Sequence, residues 1–258
     1  LLLLASALAL LLVACGSSKP QPSVSTRATN TITAFDTVYV PVYFVGGGKM
    51  AAVGRDCTGP VSVFYLGECS IRALLKGPNA AERRIGFSTA LPKNTALRKI
   101  SETGDRLIAE LSTNLDAAAQ AQVVMTLTLD LGAQAHDVVL ITPAGRTQPL
   151  TQADFEKLMP AVLIENPLPF EHVDSPLRVS GSSNTFEATS QLELLDARGK
   201  LLAAKTVTAS SGTGTRGTFS VSLNFHAPAG AATLVSYEYS ARDGSRIDVV
   251  RIPVRISR

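Results

Sequence analysis

Thr218-Phe219-Ser220-Val221-Ser222-Leu223-Asn224-Phe225 alternates polar and apolar side chains without a break. Successive side chains of an extended chain point to opposite faces, so Phe219, Val221, Leu223 and Phe225 share one face. That pattern predicts a half-buried strand of an antiparallel sandwich. Working outward, strand-like runs recur at Leu177–Ser180, Phe186–Leu195, Lys200–Ala209, Thr233–Ser240 and Arg246–Ile256. Turn signals separate them, including Asp196-Ala197-Arg198-Gly199 and Asp243-Gly244. Asp243-Gly244 reads as a type I′ hairpin turn, because glycine accepts the positive φ that this turn demands. Trp and Cys are both missing from this half, so apolar packing alone has to hold the sandwich.

Before about Glu165 helical spacing mixes with strand-like runs. Thr37-Val38-Tyr39-Val40-Pro41-Val42-Tyr43-Phe44-Val45 is β-branched and aromatic and stops at Gly46-Gly47-Gly48, which predicts a strand and a turn. Pro41 favours an edge position, since it cannot donate to a ladder. Lys49 to Arg55 can return as a second strand. Ile71, Leu74 and Leu75 have helical spacing within Glu68 to Lys76, ended by Gly77-Pro78, and Asn79 with Glu82 has the pattern of a capped helix start. Two short strand-like runs flank Thr103-Gly104-Asp105. Asp116 to Leu131 predicts a helix with Val123, Val124, Leu127 and Leu131 on one face, Asp116 as cap and Gly132 as stop. Asp137 to Thr142 reads as a strand turning at Pro143-Ala144-Gly145. Thr151 with Asp154 opens a short helix that Pro160 ends.

The N-terminus bears on location. Leu1 to Ala14 is an apolar run too short for a spanning helix, which needs roughly 20 residues. It reads as the core of a signal peptide, whose basic start is expected upstream of Leu1. Leu12-Val13-Ala14-Cys15, with Gly16-Ser17-Ser18 behind it, resembles the lipobox of bacterial lipoproteins. The resemblance implies export, cleavage before Cys15, and a diacylglyceryl thioether, with a third N-acyl chain (palmitate), on that residue. One acyl chain gives only marginal membrane binding, and two or more anchor stably. Gly16 to about Ala34 is rich in Ser, Thr and Pro and reads as a tether spanning roughly 25 Å as a random coil.

The formal net charge is +3, divided as 14 − 13 = +1 through Glu165 and 10 − 8 = +2 after it. With so little basic excess and few aromatics, no nucleic-acid partner is expected, and no polybasic membrane patch. Besides Cys15 there are two cysteines, Cys57 and Cys69. In an exported chain they favour a disulfide, worth about 3 kcal/mol in the chain-entropy treatment, over two buried free thiols. Two thiols without a nearby His do not complete a metal site, so no metal and no cofactor are expected.

Together these residues carry a family resemblance. Val42-Tyr43-Phe44, Leu74-Leu75-Lys76-Gly77-Pro78, Glu82, Gly86, Ser88-Thr89-Ala90-Leu91-Pro92, Thr95-Ala96-Leu97 and Gln122-Val123-Val124-Met125-Thr126-Leu127 make residues 36–164 resemble a GerMN domain. Asn166-Pro167, Ser175-Pro176-Leu177, Val179-Ser180-Gly181, Phe186-Glu187-Ala188, Ser240-Ala241-Arg242-Asp243-Gly244-Ser245 and Ile252-Pro253-Val254 make residues 165–258 resemble the immunoglobulin-like domain of bacterial spore-germination proteins. The resemblance implies sporulation, germination or general envelope contexts, and binding or scaffolding without a catalytic residue set. The Cys57–Cys69 loop is longer than the common pattern, and a disulfide would be a local answer to that insertion.

Sharper chemical readings fare worse. Gly212-Thr213-Gly214-Thr215-Arg216-Gly217 spells G-x-G-x-x-G, but a strand follows it where a dinucleotide site needs a helix, so it reads as an inter-strand loop. His136, His172 and His226 lack metal spacing, and no Gly-x-Ser-x-Gly elbow accompanies them. Glu187 alone cannot run a two-carboxylate hydrolysis and is expected to pair with a cation or a backbone amide.

The expected fold class is α+β. A lipoprotein signal peptide (1–15) and a tether (16–35) lead into a mixed α/β GerMN-like domain (36–164) and an all-β immunoglobulin-like sandwich (165–258). The expected role is that of a non-catalytic, extracytoplasmic, lipid-anchored envelope protein binding an envelope protein or peptidoglycan. An accessory regulator of a membrane sensor kinase and a peptidoglycan-acting enzyme are the rival readings.

Overall fold

A computed structural model describes residues 36–60, 62–128 and 137–257. The signal segment, the tether and Cys15 lie outside the described residues, as do Leu131, Gly132 and His136. Among the described residues no helix is long and apolar enough to cross a membrane. The described residues form one compact unit of α+β class, a mixed first lobe followed by a β-sandwich.

The first lobe begins with a hairpin, β1 (Asp36–Gly46) and β2 (Lys49–Gly59), turning at Gly47 and Gly48, both at positive φ. Helix α1 (Val63–Leu75) extends further toward the N-terminus than its Ile71/Leu74 spacing predicts, because Ser62 caps it, its Oγ accepting from the Tyr65 N–H. Helix α2 (Ala80–Arg84) starts on a full capping box between Asn79 and Glu82. The short strand β3 (Phe87–Ser88) pairs with Val45 and Gly46, so among the described residues the flank of β1 along Pro41 has no strand beside it. A second sheet runs β4-β5-β6-β7, from Leu97–Thr103, Arg106–Leu111, Asp137–Thr142 and Gly145–Arg146. β5 and β6 are parallel, and helix α3 (Ala117–Leu127), capped by Asp116, lies in their crossover.

Helix α3 departs from the one-faced expectation. Eight of its residues are buried, Gln122 and Thr126 among them. The reason is that β1 offers α3 unpaired backbone. Thr126 Oγ1 accepts from the Tyr43 N–H at 3.1 Å, and Gln122 Nε2 donates to the Tyr43 carbonyl at 2.9 Å. Gln122 Oε1 accepts from the Ala90 N–H at 2.5 Å. Two side chains one turn apart thus act as the missing neighbour strand.

The second lobe packs a three-stranded sheet, β13-β10-β8, on a five-stranded sheet, β12-β11-β14-β15-β9. The strands are β8 (Val162–Asn166), β9 (His172–Val173), β10 (Leu177–Ser183), β11 (Thr189–Asp196), β12 (Leu201–Thr208), β13 (Gly217–Leu223), β14 (Gly230–Tyr239) and β15 (Arg246–Ile256). Leu192, Leu194, Leu234, Val179 and Val254 fill its apolar core. Phe219, Val221 and Leu223 belong to that core or pack against it.

Three expectations are corrected here. Phe186–Ala188 is a 3₁₀ turn rather than the start of a strand, with Glu187 and Ala188 both at positive φ. Asp243-Gly244 is not a two-residue hairpin turn. Gly244 is at positive φ but Asp243 is not, and Gly244 N–H donates to the Ser240 carbonyl, so the chain crosses by a longer loop from Tyr239 to Arg246. The strand β8 has no counterpart among the predicted runs. Its Val162 and Ile164 enter the sandwich core while Leu163 enters the core of the first lobe. The expected boundary at 164/165 therefore falls inside a strand whose alternate residues serve two cores.

β8 reaches β10 closely at Gly181, where the register shifts. A Cβ at Gly181 would collide with the Leu163 carbonyl oxygen, which is backbone and cannot swing aside. Gly181→Ala is expected to cost about 2 kcal/mol, read as a lowered urea midpoint, with exchange protection lost first along Val162–Asn166.

Candidate functional site

A cleft lies beside the bridge that joins Cys57 of β2 to Cys69 of α1. Cys57 is buried with Val40 and Leu66, so the bridge closes a small apolar cluster under the cleft floor. The cleft encloses about 430 Å³ and presents Arg55, Asp56, Tyr65, Glu68, Arg72 and Lys76. Most of this charge is already paired. Arg55 forms a two-pronged ion pair with Glu82, at 2.7 and 2.8 Å, and its guanidinium lies 5.6 Å from the Phe44 ring centroid. Arg72 pairs with Glu68 one turn away on α1. Tyr65 Oη donates to the Thr58 carbonyl and its ring covers Gly59, where any Cβ would strike it. The exposed Lys76 and Asp56 complete a mixed-charge rim suited to a zwitterionic or polar surface.

A second, smaller groove lies at one end of the sandwich. Phe186, Glu187, Ser190, Gln191, Glu238 and Tyr239 line it. Glu238 accepts from the Phe186 N–H at 3.2 Å, and burial raises its carboxyl above the usual carboxylate range, with Asp248 adding to the rise. Glu187 is exposed; its backbone N–H donates to Thr213 Oγ1.

The seam between the lobes is a hydrogen-bonded set of groups. Tyr43 Oη donates to Glu165 Oε1 at 2.7 Å, and burial beside that carboxylate pushes the phenol well above its usual value. Lys49 Nζ donates to the Lys157 carbonyl. Arg216, from the loop that spells G-x-G-x-x-G, is the hub. It pairs with both oxygens of Glu156 and donates to the carbonyls of Ser182 and Pro160. Glu156 belongs to the 3₁₀ turn Gln152–Leu158, opened by Thr151 and Asp154, just before β8. The motif therefore carries a structural clamp, in a loop before a strand. His172 sits in β9 and His226 follows β13; neither joins the clefts described above. Sequence reasoning missed Arg216, Gln122 and the Phe186 end, because each depends on partners distant along the chain.

Arg216 hydrogen bonds hold the Glu156 carboxyl below the usual range, with Asn184 adding to the effect. A carboxyl with a lower pKa folded than unfolded adds stability that is present above its unfolded value, about 4.3, and is lost as pH falls through the folded one. Acid is expected to loosen this seam. Between roughly pH 5 and pH 3 the urea midpoint should fall further in the wild type than in Glu156→Gln, which has no charge there to lose.

No curated protein matches the chain. Among solved structures, the tandem GerMN domains of the sporulation protein GerM from Bacillus subtilis are similar at 17% identity, over 49% of this chain and 48% of that one, with a TM-score of 0.34. The chain thus spans about half the length of that protein. A lipoprotein candidate from Clostridium perfringens is similar at 18% identity, over 46% of this chain and 89% of that one, with a TM-score of 0.29. Residues 161–245, beginning one residue before β8, match the family of the immunoglobulin-like domain of bacterial spore germination.

Proposed function

We propose that this chain is a non-catalytic lipoprotein of the cell envelope, held to the membrane by acyl chains on Cys15. Its folded part binds an envelope protein or the wall polymer in sporulation, germination or general envelope biology. The match of residues 161–245 to a spore-germination immunoglobulin-like domain carries this reading. The lipobox-like Leu12-Val13-Ala14-Cys15 supports the anchor. This reading assigns recognition to the mixed-charge cleft above the Cys57–Cys69 bridge and to the groove at the sandwich end. Proximity cross-linking in intact cells, followed by pull-down, tests the binding role. Repeated recovery of one envelope protein or of wall fragments is the expected result, and recovery of neither overturns it. Palmitate labelling tests the anchor separately, with label expected on the wild type and lost in Cys15→Ala.

A further inference from the structure

The groove at the sandwich end is more specific in its chemistry than the larger cleft. Two aromatic rings stand at its rim, with Phe186 60% and Tyr239 54% exposed. Tyr239 is held in place by Tyr237, edge-to-face at 5.3 Å between ring centroids, with the hydroxyls 3.3 Å apart. Phe186 is fixed by a left-handed turn that locks into the loop after β12. Thr185 carbonyl accepts from the N–H groups of Ala188 and Thr213, and a Cβ at Gly212 would meet the Ala188 backbone. The Tyr239 ring and the backbone that carries Phe186 are therefore placed before any ligand arrives.

Between the rings the groove is acidic. Glu187 and Glu238 line it, and among the described residues neither has an ion-pair partner. No Lys, Arg or His lines it. Ser190 lines it too, but at 1% exposed it falls on the same face of β11 as the core residues Leu192 and Leu194. Aromatic faces and carboxylates are complementary to a cation that carries several N–H donors on an apolar stem.

We propose that this groove receives a basic side chain, lysine or arginine, from a segment of a protein partner. The ammonium or guanidinium lies between Glu187 and Glu238, and the aliphatic stem lies against Phe186 and Tyr239. The volume, about 180 Å³, fits one long side chain and leaves the rest of the segment on the surface. The inference deepens the binding role proposed above and rests on it for a partner, but a direct titration reads the groove alone. Failure of the titration would leave the cross-linking result standing.

The test is a titration of the ¹⁵N-labelled full chain in mild detergent. The probes are the end-blocked tripeptide Ala-Lys-Ala, the same peptide with Nε-acetyl-lysine, and glucosamine. The lysine peptide is expected to give saturable shifts at Phe186–Gln191 and at Glu238 and Tyr239. Binding should weaken at least about tenfold on acetylation, and likewise in Glu238→Gln and in Tyr239→Ala. Glu238→Gln keeps an oxygen for the Phe186 N–H, and Tyr239 is at the surface, so both variants should fold. Equal binding of the acetylated peptide, no saturable shift, or wild-type affinity in both variants overturns the proposal. Glucosamine binding more tightly than the lysine peptide also overturns it, and moves the assignment to an aminated polymer.

Discussion

Gln122→Leu is expected to cost the fold about 3 kcal/mol, although leucine matches glutamine in bulk and the site is fully buried. The loss comes from what the amide does on both ends. Its Nε2 serves the Tyr43 carbonyl and its Oε1 serves the Ala90 N–H, two backbone groups that no strand reaches. Leucine would leave the buried Tyr43 carbonyl and the half-buried Ala90 N–H unpaired, at about 1–3 kcal/mol each. Thr126→Val removes one acceptor, for the Tyr43 N–H, and is expected to cost about half as much. Urea unfolding of the three proteins measures this order. A Gln122→Leu loss below about 1 kcal/mol would show that α3 does not stand in for a strand.

Arg216→Ala is expected to destabilise by about 3 kcal/mol, because the side chain is 13% exposed and ties together two separate segments, 156–160 and Ser182. Without it the Glu156 carboxylate and the carbonyls of Ser182 and Pro160 lose their donors together. Arg216→Lys should recover only part of the loss, since one ammonium cannot reproduce a fork that meets a carboxylate at two points. Arg246→Ala is the comparison. That guanidinium also grips a carboxylate, Glu193, at two points and lies 4.2 Å from the Tyr237 ring centroid, but it is 48% exposed. Water compensates there, and a loss below about 1 kcal/mol is expected. Hydrogen exchange in Arg216→Ala should rise first at residues 152–160 and 182–184.

Local signals account for most of what was legible. The Ser/Phe/Val/Leu alternation places β13, the Asn79–Glu82 pair places α2, and Asp116 caps α3, because each needs only neighbours within a turn or a pleat. β8 escaped for a physical reason. Val162-Leu163-Ile164 is buried on both faces, so it shows no alternation, and alternation is the mark of a half-buried strand. The Phe186–Ala188 turn escaped because Glu187 and Ala188 carry no glycine-like signal for positive φ, and packing against Gly212 imposes it. Gln122 reads as an interruption in an apolar helix until the bare flank of β1 is known. The groove was illegible because its residues come from β11, β14 and the turn between β10 and β11. The sequence directed attention to Glu187 as a lone acid, and the fold sets Glu238 beside it in one groove.

The double duty of Val162–Asn166 reaches beyond stability. With Leu163 in one core and its two neighbours in the other, the halves share a beam instead of a hinge. The cleft over the disulfide and the acidic groove thus belong to one compact unit. A ligand with two epitopes gains avidity from engaging both only when its own reach equals the span between them, because effective concentration drops toward zero when a linker cannot bridge the distance. The fold would act as a ruler as well as a grip.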